Sequence, residues 1–307
     1  MVHQPVLLEE AIGLLKEGGE GTYLDGTLGA GGHSLLLLET LPGARILGLD
    51  RDPQALALAR ERLSRHAARA SFFGANFAEL EEIASREAPG GLRGVLLDLG
   101  LSSLQIDRPE RGFSYMEDGP LDMRMDPALP ASAADLLAGL DFDALRRLLR
   151  EYGEVRQPGR VARAVLQAQG TEPLGRTGQL AAAVAAAVGP KKAPGEQARV
   201  FQALRIAVNG ELEALDTALE ALPRVLAPGG VAVILSYHSL EDRRVKQFFA
   251  RESRDCLCPP GLPVCSCGHR RSLERVTPRA IKAGDEEIAD NPRARSVRLR
   301  AARRIET

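Results

Sequence analysis

The stretch from Tyr23 to Ser34 constrains the fold more than any other part of the chain. An apolar strand ends at Asp25, four glycines follow within seven residues, and an apolar helix begins at about Leu35. Glycines let backbone amides approach a ligand closely, because no Cβ stands between them. The free N–H groups of a helix N-terminus also favour a polar or anionic ligand. The turn therefore predicts a nucleotide-type cofactor site near residue 30.

The acids beside this turn indicate which cofactor it suits. Ser34 stands where a dinucleotide fingerprint would have its third glycine. Asp25 would repel a pyrophosphate but suits a ligand with an ammonium group, such as the methionine part of S-adenosylmethionine. Asp50 ends the next apolar strand, where an acid typically accepts hydrogen bonds from ribose hydroxyls. Local capping is the plain alternative for both acids, but their joint position around a glycine turn favours a cofactor site.

Strands and helices alternate along the first hundred residues, which predicts an α/β fold with a parallel, doubly wound sheet. The alternation stops near Pro109, and helical runs broken by Gly and Pro continue to about Gly195. It resumes at Arg199, where apolar residues from Val200 to Leu222 share one helical face before a strand at Val231. We therefore predict an α/β domain from 1–108 and 199–307, with an inserted all-helical domain at 109–198.

Charge is unevenly spread along the 307 residues. Residues 243–307 contain sixteen Lys/Arg and eight Asp/Glu, a net charge of +8, whereas the whole chain has −1. A basic segment of this kind favours a polyanionic partner such as nucleic acid, and a merely solvated basic surface is the alternative. No apolar run is long enough for a membrane span, and no secretory signal is visible. We therefore predict a cytoplasmic protein without a membrane partner.

Two polar clusters follow predicted strands, where such a sheet places its chemistry. The first contains Asp98, Ser102 and Ser103, and the second is centred on His238. Taken singly, a serine of this kind caps a helix and a histidine is a satisfied, half-buried side chain. Their positions after two strands make them candidate catalytic residues.

Taken together, these motifs resemble the bacterial small-subunit ribosomal RNA cytosine-N4 methyltransferase family, RsmH, formerly MraW. The resemblance runs from end to end and is carried by HQPVLL from His3, DGTLGAGGHS from Asp25, DRDP from Asp50, LDLGLSS from Leu97, RGFSY from Arg111, LDMRMD from Leu121, FQALRI from Phe201, SYHSLEDR from Ser236 and NPRARS from Asn291. Two departures are visible. Gly195–Arg199 replaces a His-Pro-Ala-Thr-Arg-like string, which puts any RNA contact there in doubt, and Tyr237 stands where the family more often has Phe.

The resemblance implies a class I methyltransferase sheet, an inserted helical domain for substrate recognition, and S-adenosylmethionine as cofactor. It further implies methylation of a cytidine in the decoding region of 16S ribosomal RNA, either as RNA or within the assembled small subunit. The oligomeric state is left open, a dimer being one option. The resemblance also implies cofactor-binding residues, which are Gly31, Gly32 and His33 at the methionine end, Asp50 at the ribose, Phe77 at the adenine, and Asp98 and Gln105 around the fourth strand. Asp25 is not part of that set; we add it as the expected partner of the cofactor's ammonium group because it lies at the strand end before the glycine turn.

Methylation of an exocyclic amine needs a hydrogen-bond acceptor on the amine N–H. This acceptor increases the electron density on the nitrogen and later takes the proton. Many amino-methyltransferases place an Asp/Asn/Ser-Pro-Pro-aromatic string after the fourth strand, and here Asp98–Ser103 occupies that place without the prolines. We hypothesise that Asp98 with Ser102 or Ser103 is the acceptor, and that His238 is a proton route. Phe113 and Tyr115 are candidates to stack on the target base. Packing in the core is the alternative for both residues, and for Phe113 the sequence favours neither interpretation over the other.

The four cysteines form two C-x-C pairs, Cys256 with Cys258 and Cys265 with Cys267. Four thiolates so close together suit zinc, but the usual spacing is C-x-x-C. A reduced or disulfide-linked loop is the expectation, and we predict no metal.

Three other functions are weighed against the main one. A nicotinamide oxidoreductase is disfavoured by Asp25 and Ser34. A DNA amino-methyltransferase is a nearer rival, and a non-catalytic ribosome assembly factor would not need an intact cofactor turn.

Overall fold

The computed structural model describes residues 5–259 and 264–306. The chain divides into two compact units, one formed by Met1–Gly100 with Glu213–Thr307 and the other by Leu101–Leu212. The first unit is an α/β sheet domain and the second is helical. Among the described residues, no helix combines the length and the apolar character that crossing a membrane requires.

The first unit contains a seven-stranded sheet. Its strands are β1 (Gly21–Asp25), β2 (Ala44–Asp50), β3 (Ala70–Gly74), β4 (Leu92–Asp98), β5 (Leu226–Ser236), β6 (Leu273–Arg275) and β7 (Arg298–Arg304). They lie in the order β3-β2-β1-β4-β5-β7-β6. The first five in this order are parallel, whereas β7 runs antiparallel to both β5 and β6. The predicted doubly wound α/β fold is confirmed.

The helices are α1 (Leu8–Lys16), α2 (Gly32–Thr40), α3 (Pro53–Arg62), α4 (Leu80–Glu87), α5 (Ser103–Ile106), α6 (Ala133–Ala138), α7 (Phe142–Glu151), α8 (Pro158–Thr171), α9 (Thr177–Val188), α10 (Ala193–Asn209), α11 (Glu211–Val225), α12 (Ser239–Glu252) and α13 (Asp285–Asp290). Side chains alternate across the sheet, so Leu24 and Leu97 face α4, α11 and α12, whereas Tyr23 and Leu96 face α1 and α2. Apolar helices thus cover both faces, as a parallel sheet requires.

The second unit has its own apolar core, built mainly from α6 to α10. Its limits differ from the predicted 109–198. Leu101 and Phe113 pack on this core at one end, and Val200, Phe201 and Leu204 of α10 pack in it at the other. The unit therefore extends from 101 to 212, because α10 packs its apolar face on helices α7 and α9 of the same unit.

The single helical face predicted from Val200 to Leu222 is interrupted. Gly210 has a φ of +60°, a left-handed conformation that ends α10 and separates it from α11. The strand predicted from Val231 is longer than expected, because β5 begins at Leu226 and includes residues 228–230. The pairing of β5 with β4 shifts register between Leu92 and Gly94, which accommodates these residues.

Candidate cofactor and catalytic site

The turn between β1 and α2 depends on glycine at defined positions. Gly29 and Gly31 have φ values of +52° and +76°, which L side chains rarely adopt. Gly31 is the residue before α2, and its N–H donates to Leu28 O at 2.8 Å. A Cβ on Gly32 would collide with Pro5, so the absence of a side chain there serves local packing. The turn therefore brings bare backbone to the end of β1.

Asp25 is buried at the end of β1 and is held by neutral donors. Its carboxylate accepts hydrogen bonds from Ser34 Oγ at 2.7 Å and from the Thr27 N–H at 3.2 Å. Burial raises the pKa of Asp25 to about 6. Ser34, which departs from the dinucleotide fingerprint, is thus the donor that fixes this acid.

Asp50 and Phe77 follow the next two strands. Asp50 accepts hydrogen bonds from the N–H groups of Gly29, at 2.8 Å, and Asp52, at 2.9 Å. Burial also raises the pKa of this carboxyl. Phe77 is partly buried beside Gly26, where an added Cβ would lie 3.0 Å from the Phe77 Cβ. The ends of β2 and β3 therefore place an acid and an aromatic ring at the same edge of the sheet.

Asp98 ends β4 and is the best-connected acid of the site. Its N–H donates to Thr27 Oγ1 at 2.6 Å, and its Oδ1 accepts from the Tyr237 hydroxyl at 2.7 Å. Its Oδ2 lies 3.8 Å from His33 Nδ1, and its side chain is 24% exposed. Burial raises the pKa of Asp98 to about 7, and burial lowers that of His33. An acid that changes charge near neutral pH thus lies beside a neutral imidazole.

Tyr237 is the functional candidate that sequence reasoning missed. The substitution of Tyr for the family's more frequent Phe looked minor, yet the hydroxyl bonds to Asp98 across 139 positions of the chain. Its ring lies against Gly100, whose φ is +110°. Burial, with Asp98 nearby, raises the pKa of Tyr237 well above its usual value, so the phenol stays a donor. The sequence did contain a signal for this role, because Tyr237 is a polar residue directly after β5, the strand that pairs with β4.

His238 lies at the start of α12 and faces Glu241. Its Nε2 is 3.1 Å from Glu241 Oε1, and the other oxygen of Glu241 accepts from the Tyr237 N–H at 2.8 Å. Neither ring nitrogen makes a hydrogen bond within residues 5–259 and 264–306, so the Glu241 carboxylate lies close to the ring without a hydrogen bond that orients it. Its role as a proton route stays a prediction.

Three predicted residues belong to the second unit. Gln105 Oε1 accepts a hydrogen bond from the Ser102 N–H at 3.1 Å. Ser102 Oγ is buried and lacks a hydrogen-bond partner within residues 5–259 and 264–306. The side chain of Ser103 is outside the part of the chain that the structure describes. Their roles stay predictions.

The structure shows core packing for the aromatic pair proposed to stack on a base. Phe113 is 7% exposed within the core of the second unit, which supports the core-packing alternative for this residue. Tyr115 meets Phe201 edge-on, with ring centroids 5.5 Å apart. Arg111 donates to backbone carbonyls and Arg124 pairs with Asp122 at 2.8 Å, so these arginines fasten their own loop.

The sheet order with antiparallel β7 between β5 and β6, the glycine turn after β1 and the acid at the end of β2 fit a class I, S-adenosylmethionine-dependent methyltransferase. Residues 1–305 match the model of the MraW methylase family, and the chain belongs to that family.

Curated relatives match over almost the whole chain. The Ribosomal RNA small subunit methyltransferase H of Heliobacterium modesticaldum is 46% identical, over 99% of this chain and 98% of its own. The protein of the same name from Anaeromyxobacter sp. (strain K) is 49% identical with the same coverage. Among solved structures, an rRNA methylase from Streptococcus thermophilus is 11% identical, with a TM-score of 0.44, covering 100% of this chain and 99% of that chain.

Proposed function

We propose that this protein transfers the methyl group of S-adenosylmethionine to N4 of a cytidine in the decoding region of small-subunit ribosomal RNA. Membership of the MraW methylase family supports the reaction class, and the names of its relatives support ribosomal RNA of the small subunit as the substrate. The structural observation that carries the proposal is the pair of carboxylates, buried Asp25 and half-buried Asp98, at the ends of β1 and β4.

The residues present fit this cofactor. The hydrogen-bond donors described for Asp25 and Asp98 are uncharged hydroxyls and a backbone amide, and burial raises the pKa values of both acids. A cationic ligand would offset that cost, because an opposite charge favours the ionised carboxylate. Asp25 or Asp98 would hold the ammonium group, Asp50 the ribose and Phe77 the adenine, with the Gly31–His33 backbone around the methionine. The cofactor supplies an activated methyl group, whose transfer depends mainly on positioning and electrostatics.

Asp98 is suited to act on the target amine as well. Tyr237 fixes one of its oxygens, and the side chain is partly open to solvent. A pKa of about 7 lets the carboxylate accept a proton near neutral pH. An acceptor hydrogen-bonded to the cytosine amine raises the electron density on that nitrogen. Ser102 and Ser103 are proposed as additional acceptors, with His238 passing the proton onward.

RNA binding is proposed for the second unit and for the basic segment 243–307. Part of this basic charge is neutralised within the protein, since Arg244, Arg300 and Arg303 form ion pairs with acids of the first unit. Other arginines of the segment, such as Arg254 and Arg270, are exposed to solvent. The target base should leave its stack to reach an enclosed site. A cytoplasmic location and a dimer stay predictions.

The test is methyl transfer from isotope-labelled S-adenosylmethionine to unmodified small subunits and to their naked RNA, with mass spectrometry of the digested nucleosides. We expect labelled N4-methylcytidine, at least 100-fold reduced in Asp98→Ala. Glu82→Ala, an exposed acid of α4, is the matched control and should retain activity. Label on another nucleoside would reject the N4 assignment, and preference for duplex DNA would favour the DNA enzyme. Absence of cofactor binding would support the assembly-factor alternative, whereas cofactor binding without transfer would mean that the RNA was supplied in the wrong assembly state.

A further inference from the structure

All four cysteines of the chain lie in one loop of the first unit, between α12 and β6. They are Cys256, Cys258, Cys265 and Cys267, and their sulfur atoms all lie within 4.8 Å of one another. Residues 260–263, between the two C-x-C pairs, are outside the described residues. The two pairs therefore converge on a single point, although the loop that joins them carries no helix or strand at its described ends.

The sulfur spacing matches a tetrahedral ion better than disulfides. Cys256 Sγ lies 3.4 Å from Cys265 Sγ and 3.8 Å from Cys267 Sγ, and the latter two are 3.6 Å apart. Four zinc–sulfur bonds of about 2.3 Å place their sulfurs about 3.8 Å from one another in a tetrahedron. Disulfides would instead draw the sulfurs into two separate pairs at about 2.05 Å. Here one sulfur is nearly equidistant from two others.

Backbone amides orient these sulfurs. The N–H of Leu257 donates to Cys267 Sγ at 3.3 Å, that of Cys258 to Cys256 Sγ at 3.4 Å, and that of Ser266 to Cys258 Sγ at 3.4 Å. Such donors hold metal-bound thiolates in place and tune their basicity. The nearby imidazole is occupied elsewhere, since His269 Nε2 lies 3.1 Å from Arg251 O. Four sulfurs are therefore the complete ligand set.

The described residues of the loop, 254–259 and 264–270, are too exposed for burial to order them. Leu257 is 40% exposed and Val264 is 77% exposed, and three of the four cysteines are exposed. An exposed loop without an apolar core needs a cross-link or an ion to hold its shape, and metal coordination supplies folding free energy directly.

We propose that Cys256, Cys258, Cys265 and Cys267 bind one zinc ion in a closed, structural site. A four-sulfur tetrahedral set selects zinc or iron, and a site without an open position for water is structural rather than catalytic. The ion fixes the loop from which exposed Arg254 and Arg270 extend. The earlier expectation of a metal-free loop, based on the unusual C-x-C spacing, is replaced by this proposal.

The test is elemental analysis of the full-length protein, expressed with added zinc and purified with a reductant and without chelators. We expect about one zinc per chain. A mercurial reagent should release the zinc as it titrates the thiols, and because the chain has only these four cysteines, the thiol count reports on this cluster alone. Cys256→Ser with Cys267→Ser should lose at least nine-tenths of the zinc, whereas Ser266→Ala, within the same loop, should retain it.

A second measurement avoids dependence on the cysteine variants. Cobalt substituted into the wild-type protein should give the intense visible bands of a tetrahedral thiolate site. Extraction of the metal by a chelator should then make the loop at 254–271 a preferred site of limited proteolysis. Four free thiols without metal, two disulfides by intact mass, or bound iron in place of zinc would each overturn the proposal. None of these readouts depends on methyl transfer.

Discussion

At the scale of single residues, the candidate site contains an acid, Asp98, whose ionised form is disfavoured by its surroundings in the folded chain. The carboxyl of Asp98 has a pKa of about 7, raised by burial, although the Tyr237 hydroxyl partly stabilises the charged form. The folded chain therefore binds a proton at this position that the unfolded chain has lost above about pH 4. Stability should fall as pH rises through this window, so the proposed catalytic acid lowers the stability of the fold at neutral pH.

Replacement of Asp98 by Asn measures this pH-dependent loss of stability. Asn can still accept the Tyr237 hydrogen bond but never ionises. Relative to wild type, the free energy of unfolding of Asp98→Asn should increase between pH 5 and pH 8 by on the order of 1–3 kcal/mol. Urea unfolding without cofactor, followed by circular dichroism at several pH values, measures this difference. Glu82→Gln should show no such trend, and a pH-independent difference for Asp98→Asn would mean that the folded acid is already ionised.

Tyr237 should set the pH at which Asp98 releases its proton. Because the hydroxyl favours the charged carboxylate, Tyr237→Phe should raise the pKa of Asp98 further. Wild-type affinity for S-adenosylmethionine should fall as pH drops below about 7, and the variant's profile should move to higher pH by about one unit. Calorimetric titration across pH 5.5–9 tests this, and the two proteins should converge at the alkaline end. Tyr115→Phe is the control, and coincident profiles would argue against the coupling.

At the scale of elements, the turn between β1 and α2 depends on backbone conformation. Gly31→Ala places a Cβ on a residue with a φ of +76°, which should cost about 1–2 kcal/mol and weaken cofactor binding at least tenfold. Gly13→Ala is the matched control, since a Cβ there meets nothing within 4 Å inside α1 and should stabilise by up to about 1 kcal/mol. Thermal unfolding and cofactor titration of both variants check this, and equal behaviour would show that the turn tolerates a side chain.

The elements also show what the sequence could and could not predict. Strand ends with acids, such as Asp25 and Asp50, were predictable because short continuous apolar runs and glycine turns are local signals. The separation of α10 from α11 at Gly210 was not predictable, because the apolar helical face continues on both sides of this glycine. Which core α10 joins, and the bond from Tyr237 to Asp98, depend on contacts between distant parts of the chain. Periodicity does not specify such contacts.

At the scale of the whole molecule, charge distribution is the feature most relevant to an RNA substrate. A near-neutral chain concentrates a net +8 in residues 243–307. Internal ion pairs such as Arg300 with Asp242 and Arg303 with Glu17 consume some of it in fastening β7 to its neighbours. The exposed remainder, which includes Arg254 and Arg270 on either side of the cysteine loop, is what can contact phosphates.

Arg254→Ala combined with Arg270→Ala should therefore weaken RNA binding mainly at low salt. Each lost phosphate contact lowers the slope of log affinity against log salt by about 0.7–0.9, so the double variant should lose about 1.5 from the slope. Filter binding of small-subunit RNA from low to physiological salt measures it. Arg86→Ala with Arg224→Ala removes two exposed arginines that pair with acids of the first unit, and its slope should match that of wild type. An unchanged slope in the first variant would place phosphate contacts elsewhere on the molecule, because counterion release reports only those charges that meet the RNA.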